Sequence, residues 1–119
     1  MLKVLTMGFA EDEITPVEGF IISNHKPGVT EGMTPQEYLL KVKETAREAE
    51  ILIAKAKPTK LDEDEVVLLH TAYTTSTPIF VVGDHILSPL LETVCTNMFS
   101  TYATAVDHIK VNYSKKIIY

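Results

Sequence analysis

One cysteine, one arginine and no long apolar run are the scarcities of this chain, and each closes off a class of protein. Cys95 stands alone, so no intrachain disulfide can form, and no Cys/His spacing suggests a zinc site or another metal. A reducing, cytoplasmic setting is expected. Arg47 is the sole arginine, so the planar fork that clamps phosphate or carboxylate is nearly missing. An anion site here has to draw on backbone N–H groups, hydroxyls and lysines. No segment approaches the roughly 18 to 20 apolar residues of a membrane span. The opening MLKVLTMGFA is too short an apolar run for a signal peptide, and Glu11, Asp12 and Glu13 follow it at once. No membrane association is expected. Basic residues number 11 against 16 acidic ones, a net charge of -5 that offers no electrostatic footprint for nucleic acid.

What is present suits one domain over residues 1–119, because 45% hydrophobic residues in a 119-residue chain can fill a single core. Leu2 to Met7 is a short apolar run ending at Gly8, which reads as a strand entering a turn. A second short strand follows at Gly19 to Ile22, and then a Pro- and Gly-bearing loop from Asn24 to Met33. Thr34-Pro35-Gln36-Glu37 is the clearest local signal: Thr34 can cap, Pro35 suits the first helical position and Glu37 completes a capping box. The helix it opens should run over 34–49, with Leu39, Val42, Ala46 and Ala49 on its apolar face. Ile51 to Ala54 is apolar on all sides, as in a strand covered on both faces of a parallel sheet.

Acidic residues 62–65 then precede Val66 to Leu69, predicting a helix over 62–75 with a favourable negative first turn. The β-branched content of Val66 to Thr71 also suits a strand. Pro78 to Val82 is a strand ending on Gly83, Ser88-Pro89 opens a further helix, Met98-Phe99 is a short strand, and residues 100–113 carry helical spacing. This alternation argues for α/β architecture: a small Rossmann-like domain whose mostly parallel sheet is flanked by helices. Such sheets bind ligands beyond the carboxyl ends of their strands, here near Gly8, Lys55 to Thr59, and Gly83-Asp84.

From Tyr38 to Tyr113 the chain resembles the nucleoside 2-deoxyribosyltransferase and deoxynucleoside monophosphate N-glycosidase group. The residues that carry this are Arg47-Glu48-Ala49-Glu50 leading into the apolar Ile51 to Ala54, Ala72-Tyr73 followed by Pro78-Ile79-Phe80-Val81-Val82, and then Ile86-Leu87-Ser88 and Phe99-Ser100. The resemblance implies a nucleotide or nucleoside ligand, no cofactor, and an N-glycosidase or deoxyribosyltransferase reaction that uses a helix-borne glutamate. Counting back from Ala72, that glutamate's position is Leu68, and Glu65, one turn earlier on a neighbouring part of the face, becomes the catalytic candidate. Asp62 falls where the family's aspartate lies, Gly8 and Phe9 where its small-residue turn lies, and Ser88 where a serine helps hold a 5′-phosphate.

His85 follows Gly83-Asp84 at a strand's carboxyl end and is the histidine best placed to touch a ligand. Substrate-binding candidates are therefore Gly8, Phe9, Asp62, Gly83, His85 and Ser88. Thr71, Thr74, Thr75, Ser76 and Thr77 either line a phosphate or ribose pocket or bond to local backbone. Asp62, Glu63 and Asp64 read as a solvated helix start. A protein that keeps the scaffold without catalysis, oligomerising or regulatory, is the alternative, and apolar helices such as Val66 to Tyr73 favour a homodimer or higher homo-oligomer in either case.

Overall fold

The computed structural model describes residues 1–26, 32–56, 61–84 and 88–113. Among them are five strands, β1 (Leu2–Met7), β2 (Phe20–Asn24), β3 (Ile51–Lys55), β4 (Ile79–Val82) and β5 (Asn97–Phe99). Four helices accompany them: α1 (Pro35–Glu48), α2 (Glu63–Thr74), α3 (Pro89–Val94) and α4 (Tyr102–Asn112). Every adjacent strand pair is parallel, in the order β2-β1-β3-β4-β5. The expected α/β class holds, and the segment 66–71 is helical. Part of the 24–33 loop, residues 27–31, lies outside the described residues.

Strand periodicity divides the core into two layers. Leu5 and Met7, Leu52 and Ala54, and Ile79 and Val81 face α1, α2 and α3. Leu2 and Val4, Ile51 and Ile53, and Phe80 and Val82 face the other way, under α4 and the segment that joins β1 to β2. That segment holds no full crossover helix, only a single 3₁₀ turn at Glu11–Glu13. Phe9, Ile14, Val17 and Phe20 fill the layer there instead. β3 and β4 are buried along nearly their whole length because both of their faces are covered, which explains their unbroken apolar sequence.

Helix starts follow the local chemistry. The Thr34 hydroxyl accepts from the Glu37 N–H at 3.2 Å, and Pro35 occupies the first turn. The Ser88 hydroxyl accepts from the Leu91 N–H at 3.3 Å in the same way. Among the described residues no helix is long and apolar enough to cross a membrane.

Candidate functional site

The strand order reverses direction at β1. The chain leaves β1 toward β2 on one side, and returns across it to β3 on the other, so the connections after β1 and β3 part from each other, which is where sheets of this kind form a ligand crevice. Gly8 lies at this point with φ +87°, a left-handed conformation that favours glycine. A Cβ on Gly8 would stand 3.3 Å from both Cβ and the carbonyl oxygen of Lys55, so the two strand ends are in close contact. The Lys55 ammonium reaches the Glu13 carboxylate of the 3₁₀ turn, and the other Glu13 oxygen accepts from the Ala10 N–H at 2.9 Å. The Lys55 hydrogen bond, helped by the backbone one, holds the Glu13 carboxyl below its ordinary range.

Glu65 is the buried carboxylate of the first turn of α2, only 1% exposed. Its Oε1 accepts from the Asp62 N–H at 2.9 Å, so the side chain curls back over its own helix start. Leu68, the position of the glutamate in the resembled family, is wholly buried in the layer between helix and sheet. An acid placed there would lie in the apolar layer that also holds Leu52, Ala54 and Ile79 rather than in solvent-filled space.

Phe9 packs edge-on against Tyr102, with ring centroids 5.7 Å apart, and so belongs to the α4-side core. Gly83 follows β4 with φ +148°, and a Cβ there would come within 2.8 Å of the Ala56 Cβ. Asp62 is exposed at the start of α2. Ser88 caps α3 at the end of its connection from β4, and His85 lies outside the described residues. Gly8, Asp62, Glu65 and Gly83 thus gather at the carboxyl edge of the sheet, whereas Phe9 is turned into the core. The hydroxyl cluster after α2 sits at the opposite edge, ahead of β4. Thr74 and Thr75 donate to the Thr71 carbonyl at 2.9 and 3.0 Å, so they close the helix instead of lining the crevice.

A second polar centre at this edge is built from His25, Tyr38 and Asp64, whose positions in sequence are far apart. Asp64 Oδ2 accepts from His25 Nε2 at 2.8 Å and from the Tyr38 hydroxyl at 3.0 Å, while Oδ1 accepts from the Glu65 N–H at 3.1 Å. The His25 and Asp64 side chains are only 9% and 10% exposed, so Asp64 is no part of a solvated helix start. Burial works against its charge, but the bonds from His25 and Tyr38 outweigh that and hold the carboxyl below its ordinary value. Beside it, Thr6 donates to Asn24 Oδ1 at 2.8 Å, and Asn24 Nδ2 donates to the Phe9 carbonyl at 3.3 Å, fixing the ends of β1 and β2 together.

In sequence His25 falls in the loop read from Asn24 to Met33, so no local pattern marks this centre. Cys95 is half-buried, and burial pushes its thiol above the ordinary value, which disfavours a nucleophilic thiolate. Among the described residues no group of three or more His, Cys, Asp or Glu side chains could hold a metal. Comparison with known families, curated proteins and solved structures finds no match to this chain.

Proposed function

We propose that this chain binds a nucleotide or nucleoside in the crevice between the carboxyl ends of β1 and β3, with deoxynucleotide N-glycosidase activity that is weak at most. The observation that carries this reading is the placement of buried Glu65 in the first turn after β3, at the point where the order β2-β1-β3-β4-β5 reverses. A carboxylate there suits a sugar carbon that gains oxocarbenium character. The restraint on turnover has an equally local source: Glu65 Oε1 already holds the Asp62 N–H, and the site has no second carboxylate at position 68. Free-base release from a panel of deoxynucleotides, by wild type and Glu65→Gln, tests it. Little or no release, with ligand-induced thermal stabilisation, is the expected result.

A second reading, assembly without catalysis, is favoured by apolar residues left uncovered on two adjacent helices. Leu39 and Leu40 of α1 are 42% and 57% exposed, and Val66 and Tyr73 of α2 are 38% and 56% exposed. A groove of about 460 Å³ lies between these helices, lined by Tyr38, Leu39, Val42, Asp64 and Val67 among others. Self-association through this face predicts a homodimer by light scattering, and a 13.3 kDa particle at micromolar concentration would exclude it.

A further inference from the structure

We propose a second ligand site, apart from the crevice: a phosphoryl-binding pocket between the end of β2 and α1. The cavity there has a volume of about 260 Å³ and is lined by His25, Lys26 and Lys41 together with the hydroxyl-bearing Ser23, Tyr38 and Thr45. Among the described residues no carboxylate lines it, although acidic residues outnumber basic ones 16 to 11 in the chain. The lining carries two lysines, with the Asp64 carboxylate set behind His25 and Tyr38, which gives an acidic molecule a basic patch there.

Three details favour a phosphoryl group over other anions. The lysines and the Ser23 hydroxyl are donors spread around the cavity, which suits a tetrahedral anion, whereas the Tyr38 and Thr45 hydroxyls already donate to Asp64 and to the Lys41 carbonyl; the fork that matches a planar carboxylate is missing because Arg47 lies elsewhere. His25 is also held in place from behind. Its Nε2 donates to Asp64, which lies outside this cavity's lining, so in the neutral ring Nδ1 is an acceptor that can take the P–OH of a hydrogen phosphate. Finally, among the described residues Lys26 pairs with Glu11 at 3.2 Å on the open surface, a contact worth little that an anion can displace. The volume falls short of the roughly 300 to 1,000 Å³ typical of drug-sized ligands, which points to a small phosphate rather than a whole nucleotide.

Free phosphate and a phosphate monoester share this chemistry, so calorimetry at fixed ionic strength should use inorganic phosphate and ribose 5-phosphate as separate probes. Saturable binding of at least one is expected, and the tighter probe identifies the source. Lys41→Ala, an exposed position that leaves the core intact, should weaken that binding about tenfold, the loss of one charge-assisted hydrogen bond. Lys110→Ala, on α4 away from the cavity, should leave it unchanged. Absence of binding by both probes overturns the proposal, as does equal affinity in wild type and Lys41→Ala. Because the proposal does not rest on the crevice, a deoxynucleoside lacking phosphate serves as the separating control. It should bind wild type and Lys41→Ala alike if the crevice reading holds, and not at all if only that reading fails.

Discussion

His25 Nε2 lies 2.8 Å from Asp64 Oδ2, tying the end of β2 to the first turn of α2 across 39 positions of sequence. Tyr38 of α1 shares the same oxygen, so one nearly buried carboxylate joins three elements at the edge of the sheet where the crevice opens. Its role is first of all structural, and it sets how this edge responds to acid.

Because the native Asp64 carboxyl is held below its ordinary value of 3.8, its contribution to stability is complete above that pH and is lost as pH falls toward the depressed native value. Melting temperature followed from pH 6 down to about pH 2 should therefore drop less steeply in Asp64→Asn than in wild type. At neutral pH, His25→Ala should cost about 1 to 3 kcal/mol by leaving a buried acceptor short of a donor. Parallel acid profiles for wild type and Asp64→Asn would contradict this account.

Glu65 should show its capping role in a comparison of two substitutions. Glutamine can still accept the Asp62 N–H, so Glu65→Gln should stay within about 0.5 kcal/mol of wild type, while Glu65→Ala should lose about 1 kcal/mol or more. Chemical denaturation measures both.

Local signals were the legible part of this chain. Thr34-Pro35-Gln36-Glu37 named a helix start that the Thr34 hydroxyl then caps, and the apolar runs at Ile51 and Ile79 named the two strands buried on both faces. β2 extends two residues beyond its apolar run, through Ser23 and Asn24. The Asn24 side chain finds Thr6 and the Phe9 carbonyl there, partners that no local pattern reveals. The acidic stretches hid most of the site. Glu13 is exposed yet bonds both Ala10 and Lys55, and Asp64 looks like helix-start charge, yet it is enclosed by His25 and Tyr38. Such pairings depend on which elements the topology brings side by side, and one sequence does not encode that in its spacing.

Gly83 tests the close approach of the ends of β3 and β4. Gly83→Ala would need a left-handed conformation that alanine rarely adopts and would press its Cβ to 2.8 Å from that of Ala56. A loss of about 2 to 3 kcal/mol is expected, measured by denaturant unfolding.

Leu68 offers a contrast with the resembled enzymes. It is wholly buried, so Leu68→Glu should abolish the cooperative unfolding transition rather than restore an acid to a pocket, since an unpaired buried carboxylate costs a large part of the roughly 5 to 15 kcal/mol that holds a domain together. A well-folded Leu68→Glu protein that releases free base would show that position 68 reaches the crevice after all.

The central claim, a nucleotide or nucleoside bound at the carboxyl edge of β1 and β3, is tested most directly by following backbone amide resonances during titration with a deoxynucleoside monophosphate. The account predicts saturable shifts at Gly8, Lys55, Glu65 and Gly83, which lie at the carboxyl edge of the sheet. Saturable shifts that spare these four residues and fall on Leu39, Leu40 and Val66, or no shifts at all, would contradict it.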